Sequence, residues 1–317
     1  MRHQSSRQLH GVLLVLLAAT LWGTLGTFYT WARQGFGLTE VAIVFWRAGL
    51  AALVLGIVLG GVMPAMGRGW ALLRIRRADL PLFGAFGLLG VTAFYLLYIY
   101  AVTLVGVAVA VVLLYTAPAF VAIMAWRFLG EGFGARKLAA LGLTFVGCAL
   151  VARAYDLSQL QVNAPGILCG LGSALTYALY SILGKASLKR GYPIATMSLY
   201  TFSIGALGLL VVALAGGPEQ LLPAGLNLYG WGLLLVLALA QTLGALAAYT
   251  AGLRYLEAGV ASIVATFEPV IATLLAYFVL HERVEWPQLV GGGLILGAVV
   301  MLQARRVVWR RVPVPAE

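Results

Sequence analysis

Residues 115–135 read YTAPAFVAIMAWRFLGEGFGA and residues 266–286 read TFEPVIATLLAYFVLHERVEW. Each stretch sets a proline inside an apolar run and a glutamate 13 residues beyond it, and the two lie 151 positions apart. Proline removes a backbone donor and clashes with the preceding turn, so it kinks or stops a helix. A chain that repeats this pattern, with an acid (Glu268) beside one of the prolines, is repeating a designed irregularity.

The rest of the composition sets the surroundings of that irregularity. Of the 317 residues, 62% are hydrophobic and only 10% are charged, against roughly 25% charged in soluble domains. Apolar runs of about 20 residues read as membrane-spanning helices, and ten are found, at roughly 9–31, 40–61, 80–101, 106–126, 137–153, 165–187, 194–215, 229–252, 259–280 and 287–304. The expected fold class is therefore an all-α integral membrane protein whose partner is the lipid bilayer. The first run follows Arg2 and Arg7 as a signal peptide would; its length favours a retained span.

Charge placement tests this division. With the N-terminus and every second loop assigned to one side, that side holds 17 Lys and Arg, the other side holds 3, and Arg47 lies within a span. The positive-inside rule then places both termini in the cytoplasm. The same clustering explains the net charge of +11 without nucleic acid. Cys148 and Cys169 lie in apolar runs and read as small buried hydrophobes. His3, His10 and His281 all fall near span ends, so no metal site and no cofactor are expected.

The repeat extends well beyond the quoted stretches. At the same offset Tyr98 matches Tyr249, Val109 matches Val260 and Gly142 matches Gly293; at a slightly different offset Gly11 matches Gly166 and Trp22 matches Tyr177. Two five-span units are expected, at 1–157 and 158–317. Five is odd, so the second unit enters the membrane inverted, a plan typical of secondary transporters with a site near the midplane between the repeats. Pro118 and Pro269 then become hinge or kink positions that free the carbonyls of Leu114 and Ala265. Such irregular backbone is tolerated at membrane depth where protein or a watery cavity satisfies it.

Polar groups inside spans point to the expected substrate pathway. A mid-span acid costs at least ~2.5 kcal/mol on insertion scales, so Glu268 should face the interior, as a functional group or as a brace between helices. Phe94 and Tyr98 share a face, as do Gln241, Ala245 and Tyr249, and Tyr177 and Ser181. These residues and Trp22 form the candidate wall for a small organic molecule; filler and interface anchoring are their structural alternatives. Arg47 either snorkels or bonds backbone carbonyls, or with Glu268 sets opposite charges around a cavity suited to a zwitterion. Ala48, Ala52 and Gly56, and Gly293 with Gly297, form small-residue stripes for close packing in the fold or in a homodimer; monomer and homodimer both stay open.

Together "ATLWGT" around Trp22 and Gly23, "VFWRAGLAAL" around Arg47, Pro118 with Glu131, and the FEP…HERV pattern at 267–284 resemble the EamA-domain branch of the drug/metabolite transporter superfamily. The resemblance covers nearly the whole chain. It implies a ten-helix inner-membrane transporter, commonly an exporter of amino acids or related metabolites, with a central cavity. It leaves other substrates open, among them nucleosides, sugars, carboxylates and cationic drugs. Gly132 and Tyr177 depart from the family pattern. A membrane enzyme would need a nucleophile–base pair or clustered carboxylates, and the spans carry neither. A channel or a non-transporting receptor fits the repeat less well. Without a P-loop, direct use of ATP is not expected.

Overall fold

The computed structural model describes residues 2–67, 70–156, 163–217, 221, 226–279 and 283–303. Glu282 (the repeat partner of Glu131), His281, Arg68, the arginines from 305 onward and both chain ends lie outside the described residues. The described elements are helical, with no strand among them. They are α1 Arg2–Gly23, α2 Leu25–Phe36, α3 Glu40–Ala65, α4 Arg77–Leu114, α5 Ala117–Leu129, α6 Ala135–Val151, α7 Ala164–Lys189, α8 Ile194–Gly216, α9 Leu228–Gly252, α10 Ala258–Ala265, α11 Glu268–Val279 and α12 Trp286–Gln303.

Seven helical runs among the described residues are long and apolar enough to cross a membrane, with α5 and Trp286–Leu302 as shorter apolar helices. The ten apolar runs of the sequence all fall on helix, but the correspondence is not one to one. The runs 80–101 and 106–126 share α4, whose backbone leaves helical geometry at Gly106 (φ 77°, ψ 165°). A positive φ costs glycine little and any other residue more, so one glycine divides two stretches that a continuous helix would merge.

The proline positions behave as their chemistry demands. Helix stops at Leu114 and resumes at Ala117, one residue before Pro118; it stops at Ala265 and resumes at Glu268, one residue before Pro269. In each gap a threonine hydroxyl takes up a carbonyl of the preceding turn, Thr116 to Leu113 and Thr266 to Ile263, both at 2.6 Å. The π-helical turns Leu88–Ala93 in α4 and Leu237–Gly244 in α9 are a further matched irregularity: the first, moved by the repeat offset, falls inside the second.

The most extensive helix contacts are α4 with α7, α6 with α12, α3 with α8 and α1 with α9. Several rest on glycine. A Cβ on Gly147 would lie 2.7 Å from the Gly291 carbonyl, and one on Gly291 would lie 2.5 Å from the Gly147 carbonyl, so α6 and α12 touch backbone to backbone. By contrast, Gly56, Gly293 and Gly297 have open space around them. The small-residue stripe expected at 293 and 297 therefore makes no close helix contact within the chain; α12 turns the face carrying Gly291 inward instead. The outer surfaces carry Leu13 and Leu17, Leu53 and Ile57, Leu207 and Val211, and Leu296 and Val300, all exposed at helical spacing. Such apolar belts suit acyl chains rather than water.

Candidate substrate cavity

Helix breaks, π-turns and the interlocked packing enclose a cavity of about 1160 Å³. Trp22, Arg47, Phe94, Tyr98, Tyr177, Tyr249, Glu268 and Pro269 border it. Gln241 and Pro118 do not: both are buried in the packing, and the Gln241 amide donates to the Thr24 hydroxyl at 3.0 Å.

The aromatic wall is continuous. Trp22 lies 5.5 Å from Tyr249 and 6.4 Å from Tyr177, ring centre to ring centre; Phe94 lies 6.1 Å from Tyr177 and stacks on Tyr98 at 6.4 Å. These separations are those of favourable edge and offset ring pairs. Tyr249, wholly buried, backs the wall and hydrogen bonds Ser181 at 2.8 Å.

Two charges interrupt the wall. Arg47 is 3% exposed and neither snorkels nor reaches a backbone carbonyl. Its Nε donates to the Thr242 hydroxyl at 3.0 Å and its Nη1 to the Tyr29 hydroxyl at 2.8 Å. The guanidinium also sits 5.7 Å and 5.4 Å from the ring centres of Tyr29 and Tyr95, within cation–π range. Glu268 is half-buried at the start of α11, where the helix dipole favours an anion. Its carboxylate makes no hydrogen bond or ion pair among the described residues, and it acts on Arg47 only through space. Gly23 brings α1 against this point: a Cβ there would lie 2.9 Å from the Glu268 carbonyl oxygen.

The lining also carries the polar or partly exposed Arg33 and Glu40, Thr103 and Val107, Ala152 and Arg153, and Arg283 and Gln288. Arg33 pairs with Glu40 at 2.8 Å and Arg153 with Glu285 at 3.2 Å, both with exposed side chains. Outside the cavity lining lies a second set of polar contacts. The Glu131 carboxylate accepts from the backbone N–H groups of Ala258 and Gly259 at 2.6 Å and 3.2 Å, capping α10. Lys137 bonds Glu257 and the Gly132 carbonyl, both at 2.8 Å, and lies 3.8 Å from Glu131. Lys185 donates to the carbonyls of Leu253 and Leu256, and Asp79 holds Arg190 and Tyr192.

A family model described as the EamA-like transporter family matches residues 9–153 and again 164–303. The chain belongs to the EamA-like transporter family. It is accordingly a multi-pass membrane transporter. An uncharacterized transporter of Archaeoglobus fulgidus is 28% identical over 92% of this chain and 96% of its own length. A protein of Streptantibioticus cattleyicolor named "Probable terminal-alkyne amino-acid exporter" is 25% identical over 93% and 97%. A protein known by crystal structure superposes with a TM-score of 0.74 at 18% identity, covering 92% of this chain and 96% of that one; it shares the fold.

Tyr29 and Tyr115 of this EamA-family cavity, and Thr242 behind Arg47, escaped sequence reasoning. Tyr29 carried a signal: it lies seven residues after Trp22, on the same helical face. Thr242 carried none. On α9 Leu246 and Tyr249 line the cavity, whereas Gln241, Thr242 and Ala245 are buried in the packing, Thr242 against Arg47. The π-turn at Leu237–Gly244 widens the helix there, and counting by fours does not register it.

Proposed function

We propose that this EamA-family protein is a ten-helix secondary transporter of two inverted five-helix units, 1–157 and 158–317, that exports small metabolites such as amino acids by alternating access. The observation that carries the reading is a cavity lined by residues of both halves, with Glu131, Lys137 and Lys185 held in polar contacts outside its lining; we take those contacts as the locked end of the pathway. A pore would need both ends open together; alternating access needs one shut.

Three further observations support the inverted plan. Each principal contact between halves keeps its form when the halves are exchanged: α1 with α9 becomes α7 with α4, whereas α3 with α8 and α6 with α12 map onto themselves. Proline breaks and π-turns recur at one offset. The charge count assigns the locked end and both termini to the cytoplasm, which makes the present state outward-open in a plasma membrane of bacterial type. Trp22, Arg47, Phe94, Tyr98, Tyr177, Tyr249 and Glu268 are then substrate-pathway residues, Pro269 and Pro118 hinges, and Gln241 a brace behind the wall. The name of the Streptantibioticus relative supports amino acids. Another substrate class, whether nucleoside, sugar, carboxylate or cationic drug, is the second reading of the same cavity.

Reconstitution into liposomes with labelled amino acids, nucleosides, sugars and cationic dyes, with and without a pH gradient, tests both readings. Saturable amino-acid flux that unlabelled substrate accelerates from the far side is expected. Flux that rises without saturation, or no flux of any member, contradicts alternating-access transport.

A further inference from the structure

We propose that Arg47, held by Tyr29 and Thr242, is a preset receptor for the carboxylate of the transported molecule; this rests on the cavity being the transport site. The argument begins with what Arg47 lacks. A guanidinium this buried is ordinarily neutralised, because an isolated interior charge is costly. Here no carboxylate lies within 4 Å of it among the described residues, and its partners are two neutral hydroxyls and two aromatic faces. Those contacts fix the plane of the group without cancelling its charge. Nε and Nη1 are committed, whereas Nη2 carries no hydrogen bond among the described residues, and the residue borders the cavity.

A brace between helices needs no charge and would use all of its donors on protein. A held, un-neutralised fork beside an open cavity matches a planar oxyanion, which guanidinium binds with geometric selectivity. The single positive charge fits a monoanion, and the aromatic wall fits an apolar body attached to it. Tyr29 and Thr242 are positioning residues: they act through Arg47 and set the orientation of its free edge.

The test compares binding of four probes to the purified full chain in lipid nanodiscs by calorimetry: 3-phenylpropionate, L-phenylalanine, its methyl ester and phenethylamine. The two carboxylates are expected to bind roughly 10- to 100-fold more tightly than the ester and amine, the range of a charge-assisted hydrogen bond. Arg47→Gln is expected to erase that ratio without weakening phenethylamine binding, which also shows that the variant folds. Arg47→Lys, Tyr29→Phe and Thr242→Val should each lower the ratio in part. Equal binding of acid and ester by the native chain, no binding of either carboxylate, or a ratio that survives Arg47→Gln overturns the proposal. So does an equal weakening of all four probes. Because the readout is binding, carboxylate selectivity without flux in liposomes would refute the transport reading and leave the receptor standing.

Discussion

The two proline breaks are the same device carrying different chemistry. Between α4 and α5 the residue before the proline is Ala117, buried at 3% exposed. Between α10 and α11 it is Glu268, on the cavity wall with no hydrogen-bond or ion-pair partner among the described residues. Both gaps are satisfied by a threonine hydroxyl, and both restart the helix at the residue before proline. The comparison teaches that the repeat builds the scaffold, whereas divergence at single positions places the charge. A symmetric frame can swing between two similar states, but one acid and one base, both in unmatched positions, give the hollow its polarity.

The harshest way to break this comparison is to make the two gaps alike. Ala117→Glu would bury an acid with no partner at a site without room, at a cost of at least ~2.5 kcal/mol. Near-complete loss of monodisperse protein on size exclusion is expected; normal yield would show that the first gap also opens on water. The reverse exchange, Glu268→Ala, should leave folding intact, since its twin already holds alanine. It should lower kcat/KM for a zwitterionic substrate roughly 10- to 100-fold, the value of about 1.5–3 kcal/mol for a hydrogen bond to a charged group. Smaller still is the effect of packing symmetry. Gly291→Ala should destabilise the α6–α12 contact by about 1–3 kcal/mol, seen as a lower Tm, whereas Gly293→Ala should be nearly silent because its surroundings are open. The smallest effect belongs to the lock: Glu131→Gln has one acceptor oxygen and keeps one of the two caps on α10, and should raise the inward-open fraction by a factor of several in double electron–electron resonance.

Much of this was legible in the chain. The apolar runs and the Pro118 and Pro269 positions point to the apolar helices and their two proline breaks, because those signals come from bilayer thickness and proline sterics, which act locally. Trp22, Phe94, Tyr98, Tyr177, Tyr249, Arg47 and Glu268 border the cavity for a related reason: polar or large aromatic groups in lipid must turn inward. Gln241 went astray for a physical cause. Its amide N–H donates to Thr24 at the break between α1 and α2, a partner 217 residues away that no periodicity reveals. Thr242 and the glycine contact of α6 with α12 escaped similarly, since a π-turn and the rotation of a helix about its own axis are set by tertiary packing. Gly106 passed unremarked in the sequence; its positive φ breaks the helical geometry inside α4.

The inversion of the two units is the claim on which the rest depends, and repeat-equivalent positions test it most directly. Thr103 lines the cavity and Arg254, at the same place in the second unit, follows α9; both are exposed. In a background with Cys148→Ala and Cys169→Ala, Thr103→Cys and Arg254→Cys are each treated with a membrane-impermeant thiol reagent on intact cells and on inside-out vesicles. The account predicts that Thr103→Cys reacts only in cells and Arg254→Cys only in vesicles. Labelling of both from the same side would contradict it.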